Sequence, residues 1–153
     1  MTNKPWVYIA GPYTSPDPCA NTNIACTTFD WLLSTGLCVP ICPHWSHFQH
    51  TLCPRPYADW IKYDLDLLEL LHLSGPGAVL RLPGTSAGAD GEVAFAEARG
   101  IPVFNSTDDL LECLRGESAP PKNMSGSEPV QAGPVSQLDA MQKGRKSIST
   151  NDL

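Results

Sequence analysis

The chain has 153 residues, 42% of them hydrophobic, which is enough for one core and short for two domains. Its formal charge of −6 falls on the part up to Arg115, where six Lys/Arg stand against twelve Asp/Glu; the remainder balances at four against four. An acidic folded part lacks the basic face that phosphate contacts require, and this excludes a nucleic-acid polymer as the main partner. The apolar run in "MTNKPWVYIAGPY" is too short for a secretory signal, and no stretch approaches the ~18 apolar residues of a membrane span. The expectation is a cytoplasmic protein without a membrane partner. Cys19, Cys26, Cys38, Cys42, Cys53 and Cys113 form no C-x-x-C pair and read as reduced thiols.

In chain order, "WVYIAG" reads as a buried strand stopped by Gly11-Pro12. Apolar residues at helical spacing from Asn21 to Ser34 predict a helix with Gly36 as its C-cap. "LCVPIC" is a second strand in which Pro40 requires an edge or a bulge. Three prolines and three histidines between Pro43 and Pro56 show no clear period and predict a loop. A helix from Tyr57 to Leu71, the strand "GAVLRLP", the helix "DGEVAFAEARG", the strand "IPVF" and the helix "STDDLLECL", capped by Ser106 or Thr107, follow. Strand and helix alternate throughout, so the predicted class is α/β, a parallel sheet of four to five strands with helices on both faces. Residues 1–116 form the predicted domain. Residues 117–153, rich in Pro, Gly, Ser and Gln, form a predicted disordered tail.

Ligands of open α/β sheets bind beyond the carboxyl ends of the strands, and "AGPYTSP", "CPHWSHFQH" and "PGTSAGADGE" all occupy that place. The third puts Ser86, several backbone N–H groups and Glu92 at a helix N-terminus, an end that favours an anion or keeps a carboxylate ionised. Its glycine spacing fits neither the dinucleotide fingerprint nor a P-loop, so no cofactor is expected. Cys42, His44, His47, His50 and Cys53 share one segment, yet their spacing matches no structural zinc site, and no metal is assigned. Tyr8 lies on the first strand, where core packing is its simplest role. Tyr13 lies past the strand end, within reach of a ligand or a carboxylate. Gly11 permits close backbone approach, Gly88 belongs to the glycine turn, and Asp90 either contacts a ligand or solvates that turn.

Taken together, "YIAGPYT", the Pro40–Trp45 stretch with its "PHW", "WIKYDL" and "SAGADGE" followed by an "A-x-x-x-G-I-P-V" run resemble the nucleoside 2-deoxyribosyltransferase family over roughly residues 6–114. The resemblance implies a Rossmann-like, flavodoxin-like fold and cleavage of the N-glycosidic bond of a deoxynucleoside or its monophosphate. Glu92 takes the place of the family's nucleophilic glutamate, which forms a glycosyl-enzyme that a second base or water resolves. The acidic residue on the preceding helix is Asp64 or Asp66, which stand two positions apart and do not share a helix face. Tyr13 is the third catalytic candidate, and His44 matches the "PH" of relatives and lines the base pocket. Ser86, six positions before Glu92, stands where relatives that use monophosphates carry a phosphate-facing serine, whereas several transferases acting on free nucleosides carry an aspartate. No arginine accompanies the first-strand motif, so a phosphate would rely on Ser86, backbone N–H groups and a neighbouring subunit. The family also implies a homo-oligomer with shared active sites, to which Asn105 and Ser106 are the candidate donors. Deoxyribosyl transfer, hydrolysis of a nucleoside 5′-monophosphate and non-catalytic nucleotide binding all remain open at this point.

Overall fold

Four parallel strands run in the order β2-β1-β3-β4 in the computed structural model, which describes residues 4–121. They are β1 (Trp6–Ala10), β2 (Val39–Ile41), β3 (Gly77–Arg81) and β4 (Val103–Phe104). Between them lie α1 (Pro18–Thr35), α2 (Ser46–Leu52), α3 (Tyr57–Leu73), α4 (Ala87–Ala98) and, after β4, α5 (Thr107–Arg115). The α/β class expected from the alternation is the one observed. The tail expected from residue 117 lies, beyond residue 121, outside the described residues.

Strand alternation decides which helix covers which face. Val7 and Ile9 of β1 pack with Ala25 and Leu32 of α1 and Leu110 of α5. Tyr8 and Ala10 point the other way, into a second cluster with Leu68 and Leu71 of α3 and Ala89 and Ala96 of α4. Helices therefore cover both faces. Each fully buried leucine, Leu32, Leu68 and Leu80 among them, contributes on the order of 2 kcal/mol. Chain direction reverses its march across the sheet between β1 and β3, which pair from Trp6↔Gly77 to Ala10↔Arg81. That reversal opens a crevice at the carboxyl ends of these two strands.

Local signals account for most boundaries. Asp17 caps α1 by accepting from the Ala20 N–H at 2.8 Å, and Gly36 ends it in the left-handed region at φ 66°. Ser106 caps α5, accepting from the N–H groups of Asp108 and Asp109. Pro40 is tolerated because β2 is an edge strand that pairs with β1 alone. One segment differs from expectation: Pro43–Trp45 forms a 3₁₀ turn and Ser46–Leu52 the helix α2, where the sequence reading predicts a loop. The helix has no fully buried residue, so no apolar stripe announces it.

Candidate active site

Tyr8, Glu92 and Asp64 come together from three elements beneath the carboxyl end of the sheet. Tyr8 is fully buried on β1, and its hydroxyl donates to Glu92 Oε1 at 3.0 Å. Glu92, on the second turn of α4, is only 6% exposed. The helix begins at Ala87, three residues before the predicted start, so Glu92 sits deeper in it than the first turn. Asp64 projects from the middle of α3, and its Oδ1 is buried without a hydrogen-bond partner.

Burial sets the protonation of this cluster. It pushes the Glu92 carboxyl up to about 8, with the Asp64 charge adding to the rise, while the Tyr8 hydrogen bond and Arg81 pull the other way. Burial alone lifts Asp64 to about 7. Tyr8 is raised well above its ordinary range by burial and then by the two carboxylates. The helix terminus expected to keep Glu92 ionised is outweighed by desolvation, because the side chain lies inside the α3–α4 face and not at the helix mouth. Both carboxyls are thus brought toward neutrality, and the Asp64 charge acts on Glu92. Chemically, such a pair holds an acid and a base at once.

The other candidates divide sharply. Asp66 stands outside the cluster: it is exposed and bonded to Lys62 Nζ at 2.5 Å, one turn back along α3. A two-residue step on a helix turns a side chain by about 200°, so of the two acidic candidates only Asp64 can face Glu92. Tyr13 turns away as well, its hydroxyl paired with His47 Nδ1 at 2.9 Å. Burial, and secondarily the neighbouring Cys19, raise its pKa. Asp90 is held by Arg81 at 2.8 Å on an exposed turn. Ser86 is the N-cap of α4, its Oγ accepting from the Ala89 N–H at 3.2 Å. Gly88 is packed so closely that a Cβ there would stand 2.7 Å from the Tyr57 hydroxyl. At Gly11 a Cβ would meet Leu82 at 3.1 Å and His44 at 3.4 Å, so its close approach serves the protein's own packing.

His44 is buried under the β1–α1 loop, with Nε2 2.9 Å from the Pro12 carbonyl oxygen and Nδ1 enclosed without a partner. Burial lowers its pKa and keeps the ring neutral. Among the described residues no group of three or more His, Cys, Asp or Glu side chains is placed to hold a metal. His50 instead accepts from the Trp60 indole N–H at 2.9 Å. Asn105 is exposed and Ser106 spends its hydroxyl on the α5 cap.

Arg81 escapes the sequence reading. It ends β3, is 12% exposed at the side chain, and donates to the Leu82 and Gly84 carbonyl oxygens as well as to Asp90. The signal was present, since an arginine closing a buried strand at its carboxyl end has to find partners in the loop beyond. Tyr57, whose hydroxyl lies over Gly88, carried no comparable signal. A separate cavity of about 440 Å³ opens at the amino ends of the strands, between Pro5, Leu71, Gly77, Ile101 and Phe104, and contains none of the candidate residues.

No protein-family model, no curated protein and no solved structure matches this chain. Among the described residues no helix is long and apolar enough to cross a membrane.

Proposed function

We propose that the protein cleaves the N-glycosidic bond of a 2-deoxyribonucleoside and passes the sugar to another base through a covalent intermediate on Glu92. One observation carries this reading: the buried Glu92 carboxyl, aligned by the Tyr8 hydroxyl, lies close enough to half-buried Asp64 to feel its charge, and Asp64 keeps an unpartnered buried oxygen. A buried acceptor without a partner costs about 1–3 kcal/mol, a penalty that a ligand donor removes.

In the proposed reaction Glu92 attacks C1′ of the sugar as the bond to the base nitrogen breaks. The departing base takes the bonding electrons and a proton from Asp64. An incoming base then attacks C1′, Glu92 leaves as carboxylate, and Asp64 recovers the acceptor's proton. Burial brings both carboxyls toward neutrality, and the reactive form is the one in which the proton has moved to Asp64 and Glu92 is ionised. Tyr8 supports the move because its hydrogen bond favours ionised Glu92. His44, with an unpartnered nitrogen under the β1–α1 loop, is the proposed contact to the base.

Ser86 favours a second reading, hydrolysis of a nucleoside 5′-monophosphate. It caps the N-terminus of α4, where backbone N–H groups attract phosphate, and the Arg81 side chain reaches from the end of β3 into the adjoining loop. A product assay separates the two. Each deoxynucleoside and each 5′-monophosphate is incubated with the protein, with and without a second base, and the products are resolved by chromatography. New nucleoside that requires the acceptor supports transfer. Free base released from monophosphates alone supports hydrolysis, and ligand binding without any product overturns both in favour of a non-catalytic nucleotide-binding protein.

A further inference from the structure

Outside the carboxyl pair, the β1–α1 loop, α1 and α2 bring three side chains into a relay. Tyr13 Oη lies 2.9 Å from His47 Nδ1, and Cys19 Sγ lies 3.7 Å from His47 Nε2. We propose that Cys19 is a reactive thiol that exchanges with small disulfides, and that His47 activates it.

The imidazole can serve the sulfur in either tautomer. With the Tyr13 hydroxyl donating to Nδ1, the proton of the ring sits on Nε2 and points at the sulfur, where it stabilises S⁻. With the proton on Nδ1, Nε2 is the base that accepts from S–H. Cys19 is also the second residue of α1, where unpaired backbone N–H groups favour a negative sulfur. The nearest carboxylate in sequence, Asp17, is engaged with the Ala20 N–H at 2.8 Å.

Comparison with the other cysteines isolates Cys19. Cys38 and Cys42 are buried, and burial raises both thiols, Cys42 up to about 12. Cys26 is half-buried and hydrogen-bonded to Cys42. Cys113 is half-buried against the core. Cys53 is as exposed as Cys19, but among the described residues no imidazole is hydrogen-bonded to its sulfur. It is therefore an internal control on the same molecule.

The step is a balanced exchange. The Cys19 thiolate attacks one sulfur of a disulfide RSSR, the Cys19–SR bond forms, and RS⁻ leaves and takes up the proton that His47 received from Cys19. No external oxidant is required beyond the disulfide itself.

The test labels the full chain with limiting iodoacetamide, then in a separate reaction with oxidised glutathione, and quantifies Cys19 and Cys53 peptides by mass spectrometry. Cys19 is expected to react about tenfold faster than Cys53, because, among the described residues, only Cys19 has an imidazole in place to take up its proton. His47→Ala is expected to bring the two rates together, and Tyr13→Phe, which keeps the ring, to reduce the advantage in part. Circular dichroism of each variant confirms that the fold is retained, and Tyr13→Phe keeps the comparison readable if His47→Ala unfolds. Equal rates at Cys19 and Cys53 in the unaltered protein, or a Cys19 advantage that survives His47→Ala, would overturn the proposal.

Discussion

Two clusters lie at the carboxyl end of one sheet, and solvent divides them. Glu92 and Asp64 sit inside the α3–α4 face, so desolvation governs them and pushes both toward neutrality. Tyr13, His47 and Cys19 lie on the β1–α1 loop, α2 and the first turn of α1, nearer to solvent and linked by hydrogen bonds. Both are sets of titratable groups held close together, yet the chemistry proposed for them differs. A buried carboxyl pair holds a proton at neutral pH and releases it on demand, whereas an exposed relay presents a nucleophile to whatever arrives from solvent.

The comparison breaks most decisively at Glu92. Glu92→Ala is expected to lower deoxyribosyl transfer by about 10⁴-fold or more, read by the chromatographic assay, since the other carboxylates of α4, Asp90 and Glu97, are exposed and stand outside the Tyr8 cluster. Asp64→Asn is expected to cost about 10²–10⁴-fold, the usual weight of a general acid, while Asp66→Asn leaves turnover unchanged. Equal losses at positions 64 and 66 would show that the buried pair is not the reacting unit.

Tyr8→Phe comes next. Losing a hydrogen bond to a charged group, about 1.5–3 kcal/mol, is expected to slow turnover about 10- to 100-fold. Because that bond lowers the Glu92 pKa, the variant should also shift the pH profile upward. In the unaltered protein, an activity that needs one proton on the pair is expected to peak between about 7 and about 8. His47→Ala is expected to leave this bell in place, which sharpens the division between the two clusters.

Stability provides a test that is independent of substrate. A carboxyl whose pKa is higher in the folded than in the unfolded protein binds its proton more tightly when folded. Its contribution is complete below the ordinary values of 3.8 for Asp64 and 4.5 for Glu92, and drains away as pH rises through about 7 and about 8. Thermal unfolding should therefore show the protein weakening from pH 5 toward pH 9, and Glu92→Gln should flatten that slope and raise the melting temperature on the alkaline side. The smallest effect is expected at the Lys62–Asp66 pair. It is exposed and spans one helical turn, so Lys62→Ala should cost at most about 0.5 kcal/mol by denaturant unfolding.

Sequence pattern alone determined the α/β class, the chain order of the strands and main helices, an edge or a bulge for Pro40, and the caps at Gly36 and at Ser106 or Thr107. Each depends on local periodicity or on one residue's backbone preference, and these are properties of short segments. The family resemblance, not the pattern, pointed to Glu92 as the nucleophile and to Asp64 or Asp66 as its partner. Tertiary structure decided between those two, because the face that α3 turns toward α4 is a matter of packing. It likewise gave Tyr8, read as core, a hydrogen bond to Glu92, turned Tyr13 toward His47, and committed Asp90 to Arg81. The state of the carboxyl pair was beyond sequence altogether, since desolvation depends on what lies above a side chain and not on what flanks it in the chain.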